Sequence, residues 1–492
     1  MSDLNDEYKS RLAKLEKIKA AKIIPYAEKF EKTQSVAEIL KLGLGAKVKT
    51  AGRLLTLREM GKICFCHLLD GSGKIQLVFK QDLLGNDLFK SFAKLFDPAD
   101  FIGVEGELFK TQKGELSILV SRYVMLSKSL RPLPEKWHGL KDQELKYRQR
   151  YLDLISNPET YQRFLFRSEF IKALREFYWQ QGFIEVETPI LTNTASGAIA
   201  KPFKTHYNAL DLDVYLRIAP ETYLKECLVG GFEKVFEIGR CFRNEGMDPS
   251  HLQDFTMAEH YAAYWNYADN MKFTEKMLCH LLKKLLGSLQ VEIKNRSGQP
   301  VKIDFTPPYP VINFNELIKK SCGIDVDKFD TVDKLKKEIV AKKIVIEDIN
   351  KLQLGNLIDN LFKAVCRDKI IQPTFIINHP LELSPLARRN DKNPAVVDRF
   401  QLVINSWEIV NAYSELIDPI DQAQRFTQQA KAKDLGDAEA HGKDDDYVKA
   451  LEHGAPPVSG LGLGIDRIIT LLTQQDNLRD VVLFPLLRPD KK

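Results

Sequence analysis

The chain has 492 residues, of which 44% are hydrophobic and 28% charged, with a formal net charge of only +5. That length allows two or three domains, the composition is that of an ordinary globular protein, and the charge balance excludes a polybasic binder, though not a local basic surface. Seven cysteines without a CxxC pair speak against a zinc site or a disulfide framework. The N-terminus MSDLNDEYKSRLAKLEK lacks the apolar centre of a secretory signal, and no run reaches the roughly 18 apolar residues of a membrane span. A reducing cytoplasm, with no membrane partner, is the expectation.

In chain order, residues 6–22 read as a charged helix whose cations form either a solvated face or a contact to a polyanion. Residues 47–127 read as strands: KVKTAGRLLTLREMG, ICFCHLLDGSGKIQLVFK, FIGVEGELFKT and GELSILVSRYVML are β-rich and broken by turns such as DGSG and TQKG. About five strands in some 80 residues suit a small barrel, the OB type being one choice. The proline-punctuated SLRPLPEKWHGLKD is the domain boundary. The reading is therefore a helical segment at 1–46, a barrel at 47–127, a linker at 128–144 and a second domain at 145–492, with a helical insertion near 270–368.

In that second domain, RFLFRSEFIKALREFYWQQGF carries Phe164, Phe170, Ile171, Leu174, Phe177 and Tyr178 at helical spacing and stops near Gly182. Strands and helices then mix without βαβ alternation, which predicts an α+β domain: an antiparallel sheet flanked by helices.

Three stretches carry chemistry. Residues 235–245 read as a strand with Phe236, Ile238 and Phe242 on one face, and Glu237, Gly239, Cys241, Arg243 and Glu245 on the other. The second face is either a pocket floor or merely the site of a surface Arg243–Glu245 pair. Arg240 falls on the apolar face, where the alternation does not account for it. In SGLGLGIDRIITLL, Gly460, Gly462 and Gly464 leave one strand face bare, so that a flat ring could lie on it, and Arg467 opens a helix. The bland alternative is a closely packed or bulged strand. The spacing does not fit a dinucleotide fingerprint. In DRFQLVINSWEIVNAYSELIDP, Asn405-Ser406 closes a hairpin that brings Gln401 and Glu408 to one face as diagonal neighbours. Strict alternation puts Asn411 on the opposite face, so a bulge or a strand end is required if all three line one pocket. Glu415 lies just beyond, and acidic groups in such apolar company need a cation.

These residues carry a resemblance. FRNEG resembles motif 2 of the class II aminoacyl-tRNA synthetases, GLGLGIDR resembles motif 3, and GFIEVETPIL, which contains Pro189, looks like motif 1. With an OB-like barrel ahead of them they are similar to the Asp/Asn/Lys subgroup. YLRIAPETYLKECLVGGFEKVFEIGRCFRNEG, ELSPLARRND and NAYSELIDP look like its lysyl branch. The resemblance implies activation of L-lysine with ATP to lysyl-adenylate, then transfer to the 3′ end of tRNA(Lys). It implies that Arg243 and Arg467 are catalytic, Arg243 holding the α-phosphate. Glu245, His251, Phe255, Glu408 and Gly464 would join them in binding ATP: Glu245 on the adenine amino group, Phe255 stacked on the ring, His251 and Arg467 on the outer phosphates. Lysine would be held by Gly197, Glu221, Glu259, Tyr261, Asn411 and Glu415, with Glu415 and Tyr261 on the ε-ammonium. Phe65, Gln76 and Glu115 stand at the anticodon-reading positions. Magnesium would be the metal, with Glu408 and Gln401 as its ligands, and the assembly a homodimer.

Two departures from the family pattern stand out. HLQDFT has Gln253 and Asp254 where the family has Pro and Glu, and Gln401 replaces a metal-binding Glu. The competing readings are an Asp- or Asn-specific relative, which the anionic Glu415 disfavours, and a catalytically weakened tRNA-binding paralogue, which Gln401 keeps open.

Overall fold

A computed structural model of the protein describes residues 2–134, 140–194, 197–198, 200–295, 297–434 and 444–489; residues 135–139 of the predicted linker lie outside them. The chain divides into two compact units, Met1–Lys146 with Tyr151–Asn157, and Tyr147–Arg150 with Pro158–Lys492.

In the first unit, alternating apolar residues produce β1 (Lys47–Met60), β2 (Ile63–Asp70), β3 (Gly73–Lys80), β4 (Phe101–Lys110) and β5 (Leu116–Ser127), which close into a barrel in the order β1-β2-β3-β5-β4. Period-two alternation sends Cys64, Cys66 and Leu68 of β2 into the core and leaves Phe65 and His67 on the other face. The helix Asn86–Leu95 seals the interior, with Phe92 stacked on Phe79 at 3.8 Å. The N-terminal helix runs over Ser2–Ala20 and buries Ile18 in the barrel core. Beyond it, up to β1, the backbone is mostly irregular with one short helix, Val36–Ile39, rather than a continuous helical segment. Two of the helix's cations are neither solvated nor free for a polyanion. Arg11 is buried against Glu7 and the carbonyls of Pro98, Ser129 and Arg131, and Lys14 pairs with Asp97 at 2.5 Å. Asp97 and Asp100 share the wholly buried Lys128, so removing that ammonium should cost about 3–5 kcal/mol for the carboxylates left behind.

The second unit contains β6 (Ile184–Glu185), β7 (Leu191–Thr192), β8 (Phe203–Tyr207), β9 (Leu212–Leu216), β10 (Lys234–Phe242), β11 (Asp254–Ala263), β12 (Gln290–Lys294), β13 (Pro300–Asp304), β14 (Val311–Asn313), β15 (Thr374–Ile377), β16 (Arg399–Ile404), β17 (Trp407–Ser414) and β18 (Val458–Gly464). Eight of them form one sheet in the order β14-β15-β16-β17-β18-β11-β10-β6. It is antiparallel through its centre, as expected, but parallel at both edges, β14 with β15 and β6 with β10. One face packs against the helices Pro158–Gln180, Tyr267–Leu286 and Ile465–Leu472 through Phe170, Phe177, Met277, Leu281 and Ile468. The segment near 270–368 is therefore not one helical insertion. Its first helix belongs to the main core, it contains β12, β13 and β14, and only the helices Phe314–Cys322, Val332–Ala341 and Leu354–Val365 build a core of their own.

The bare face of the sheet is set by phase. On β11, Ala258 and Ala262 face the core, so Met257, Glu259 and Tyr261 face the open side, and Phe255 at the strand's start lines the cleft while also touching the core. On β18, Leu461 and Leu463 pack inward and Gly460 and Gly462 line the open side. Between β16 and β17 the register pairs Gln401 with Asn411 but Val403 with Glu408, so Ile409 is an extra residue. That bulge rotates the strand by one position and brings Glu408 and Asn411 to the same face. The turn residues Asn405 and Ser406 have φ of +47° and +67°, the paired left-handed conformation of a two-residue hairpin.

Candidate functional site

The bare face forms the floor of a cleft of about 890 Å³ that lies wholly within the second unit. Gly197, Glu221, Arg243, Glu245, His251, Phe255, Glu259, Tyr261, Gln401, Glu408, Asn411, Glu415, Gly464 and Arg467 all line it, so the residues named for ATP, amino acid and metal share one cavity.

One end is cationic. The strand β10 stops at Phe242, so Arg243 and Glu245 stand in the loop beyond it rather than on the strand. The loop is closed by Arg243 N–H donating to the Gln253 carbonyl at 2.9 Å and by the Gln253 amide donating to Gly246 at 3.2 Å. The departure at Gln253 thus pins the loop. Asp254 pairs with Arg240 at 3.4 Å across the β10–β11 ladder, which explains that arginine: the position is half-exposed and a carboxylate meets it. The Arg243 guanidinium lies 5.0 Å from the centre of the Phe255 ring, and its buried Nε has no hydrogen-bond partner among the described residues. An orphan donor on a cation lining a cleft is what an anion would satisfy. His251 is held by Asp248 at 2.6 Å, and Arg467 donates to the Glu408 carbonyl at 3.1 Å. Asp466 bonds Thr256 N–H at 2.7 Å and Arg167 at 2.6 Å, fixing the helix start that carries Arg467.

Glu408 is the carboxylate nearest to a metal role. The Gln401 amide donates to its Oε2 at 3.1 Å, while the Gln401 carbonyl accepts from His379 Nε2 at 3.2 Å. His379 is buried and held neutral, its pKa pushed well down by burial with Arg399 nearby. Gln401 therefore orients Glu408, and its carbonyl is committed to His379 rather than presented to a cation. No group of three or more acidic, His or Cys side chains that could hold an ion occurs among the described residues.

The other end is anionic. Glu221, Glu259 and Glu415 are buried there together. Tyr261 OH donates to Glu259 at 3.3 Å and Tyr413 OH to Glu221 at 2.6 Å. Burial, with Glu221 near, pushes the Glu259 carboxyl up to about 8. A Cβ on Gly460 would lie 2.3 Å from the Tyr261 ring and 2.4 Å from Glu415 Oε1, so only glycine leaves these two their places. A Cβ on Gly197 would press on Glu221 at 3.2 Å, and its φ of +92° suits glycine in any case. Asn411 Oδ1 accepts from Arg399 at 2.8 Å, which leaves its amide N–H groups to donate.

Sequence reasoning missed the cation of this end. Lys225 Nζ lies 2.6 Å from Glu221 Oε1, touches Glu415 Oε2, and stands 5.6–5.8 Å from the ring centres of Tyr261, Tyr413 and Tyr447. Burial would lower its pKa, but Glu221 and Glu415 outweigh it and hold the ammonium well above its usual range. The signal was present as Glu221 and Lys225 at i,i+4 spacing on one helix, a pattern that otherwise reads as a surface pair. Arg217 was missed too. It pairs with Glu237 at 2.5 Å and fills the space above Gly239, so the small residue on β10 makes room for this side chain and not for a ligand.

On the barrel, Gln76 donates to Glu115 at 2.8 Å, His67 contacts Glu115 at 3.2 Å, and β2 pairs with β3 so that His67 faces Gln76. Phe65 stands two residues from His67 on the same face and away from the core, so it is not barrel filling. His67 is a fourth member that the sequence reading did not name.

Comparison with known proteins gives the family. Residues 142–488 match the family described as tRNA synthetases class II (D, K and N), and residues 48–126 match the OB-fold nucleic acid binding domain. The chain is 48% identical to the lysine–tRNA ligase of Carboxydothermus hydrogenoformans over 490 residues, 99% of each chain. It is 48% identical to that of Aquifex aeolicus over 446 residues, 90% of this chain and 74% of the relative. It is 45% identical to that of Thermosipho africanus over 495 residues, 99% of this chain and 97% of the relative. With both its barrel and its sheet domain matched and its whole length covered, the chain belongs to the lysine–tRNA ligase family of the class II synthetases.

Proposed function

We propose that the protein activates L-lysine with ATP and passes the lysyl group to tRNA(Lys). The observation that carries the lysine assignment is the charge of the amino-acid end of the cleft. Three buried carboxyl groups gather there around one resident ammonium, an end that favours further positive charges. Lysine brings two, on its α- and ε-amino groups. An aspartate-type substrate would need a cation free to meet its side chain, and Lys225 is already engaged by Glu221 and Glu415.

In the first step, a lysine carboxylate oxygen attacks the α-phosphorus of ATP, and the bond to the bridging oxygen of pyrophosphate breaks. No protein base is needed, because the nucleophile is already an anion. Arg243 stabilises the charge that builds on the α-phosphate, and Asn411 donates towards the lysine carboxylate. Phe255 and the bare glycine strand take the adenine ring, Glu245 its amino group, and His251 and Arg467 the outer phosphates. Glu415 and Tyr261 hold the ε-ammonium, with Glu259 behind Tyr261; Glu221 and Gly197 hold the α-amino group. In the second step a ribose hydroxyl of the terminal adenosine attacks the carbonyl of the adenylate, and AMP leaves. The donor set fits magnesium with Glu408 as its main protein ligand, because a hard cation needs only one or two carboxylates when phosphates supply the rest. Bound there it would neutralise phosphate charge.

The outer face of the barrel, with Phe65 as stacking surface and Gln76, Glu115 and His67 as polar readers, is the anticodon site. The segment around Pro189 supports a two-fold homodimer, and no described helix is long and apolar enough to cross a membrane. ATP–pyrophosphate exchange with each amino acid in turn tests the reading. Lysine should drive exchange, and exchange with aspartate or asparagine alone would overturn it.

A further inference from the structure

The amino-acid end of the cleft holds a copy of half its own ligand. Lys225 presents a primary ammonium on a four-carbon stem, as lysine does, and it already occupies Oε1 of Glu221 and Oε2 of Glu415 inside a cage of three tyrosine rings. Its stem leaves the helix Glu221–Val229 and its side chain is almost wholly buried, with Glu221 below it, Glu415 and Tyr413 from the β17 side, Tyr261 from β11 and Tyr447 from the helix Asp445–Glu452. The second oxygen of Glu415, Oε1, has no hydrogen-bond partner among the described residues, although Glu415 is only 2% exposed and lines the cleft. A buried carboxylate oxygen without a donor is costly unless a ligand supplies one.

We propose that Lys225 is a positioning and specificity residue: it stays in place when lysine binds, holds Glu221 and Glu415 apart, and reserves Glu415 Oε1 as the Glu415 oxygen on which the ligand's ε-ammonium docks. This rests on the lysine reading of the site. With Oε2 taken, Glu415 cannot rotate to follow a shorter chain, so the resident ammonium fixes the length that the pocket measures. The cation also lowers the cost of ionising the carboxyl groups around it. Without it, like charges at this spacing favour a proton on one of them.

Three measurements decide it, each against wild-type protein that shows lysine-dependent exchange; absence of that exchange would sink the lysine reading itself rather than this proposal. In Lys225→Met, the KM for lysine should rise at least tenfold while the KM for ATP stays within twofold. The preference for lysine over ornithine should fall at least fivefold, and the pH profile of lysine kcat/KM should move to higher pH. Lys225→Arg, which keeps the charge, should recover part of the pH profile. A lower lysine KM in Lys225→Met would mean that Lys225 is a plug which the substrate displaces, and unchanged discrimination with an unchanged pH profile would mean that it only packs; either overturns the proposal. If the variants do not fold, the wild-type crystal structure with lysine bound decides alone. Lys225 Nζ must remain between Glu221 and Glu415 Oε2 with the ligand ammonium on Oε1, and a Lys225 side chain swung out of the cage refutes it.

Discussion

At the scale of single residues, the buried carboxylates make the sharpest predictions. Glu415→Gln removes the anion that meets Lys225 and that the proposed function assigns to the ligand's ε-ammonium. Truncating one partner of a buried hydrogen-bonded charge pair costs about 2–5 kcal/mol, so lysine-dependent exchange should collapse while ATP binding is kept, and an unchanged lysine KM would remove Glu415 from the specificity site. Glu259 predicts a pH effect. With its carboxyl pushed up to about 8, it carries a proton at neutral pH in the free protein, and an arriving ammonium favours the anion. Lysine binding should therefore release a proton near neutral pH, and affinity should rise with pH until about 8, where Glu259 is already ionised. Calorimetry in buffers of different ionisation enthalpy measures that release, and Glu259→Gln should abolish it. At the phosphate end, Glu408→Gln should nearly abolish adenylation because its neighbour Gln401 is neutral and committed to His379. Gln401→Glu puts a second carboxylate beside Glu408, which only a cation relieves, so half-maximal exchange should need less magnesium. A magnesium titration in which Glu408→Gln keeps the wild-type midpoint would assign the ion elsewhere.

At the scale of elements, the site depends on strand phase, and strand phase is also what decides how much of it can be read from the sequence. Gly460, Gly462 and Gly464 were legible as a strand face without side chains, but not what fills it: at Gly460 the space seats Tyr261 and Glu415, the close-packing alternative. The grouping of Gln401, Glu408 and Asn411 was legible only conditionally. Composition does not mark which residue of a hairpin is extra, and the bulge at Ile409 is settled by packing of Ile409 and Val410 into the same core. Lys225 and Arg217 were illegible for another reason. A lysine four residues after a glutamate is ordinarily a solvated pair, and nothing local reveals that Glu415, 190 positions away, closes over it. The N-terminal helix shows the same limit, since beyond the local Arg11–Glu7 pair, Arg11 and Lys14 find partners around residues 97–131. On the barrel, alternation in β2 predicts that Phe65 stands outside the core, where base stacking is worth about 1–3 kcal/mol. Phe65→Ala should thus lower aminoacylation of tRNA and leave lysyl-adenylate formation without tRNA near normal. Equal loss in both assays would show that the side chain supports the fold instead.

At the scale of the whole molecule, the second unit exposes a run of apolar side chains close together in sequence. Around the end of the helix Pro158–Gln180 and the segment through Pro189, Trp179 is 54% exposed, Ile184 52%, Ile190 45% and Leu191 55%. Scattered exposed apolar residues mean little, but four within 13 positions of one segment mark a surface that water does not favour. β6, which carries Ile184, is also the two-residue edge strand of the large sheet, so its outer side has no strand partner among the described residues. A two-fold axis beside this segment would bring the same patch from both chains together, and an isologous contact needs only one such patch. Cleft and patch also share β10, whose Val235 and Phe236 pair with β6 while its far end leads into the loop of Arg243 and Glu245. Loss of the dimer should consequently disturb ATP binding as well as assembly. Sedimentation at micromolar concentration should give twice the chain mass for the wild type. Ile184→Glu with Leu191→Glu should shift it to the monomer and raise the KM for ATP. A wild-type monomer with full exchange activity would refute the dimer, and a monomeric double variant with wild-type ATP kinetics would refute the link between patch and cleft.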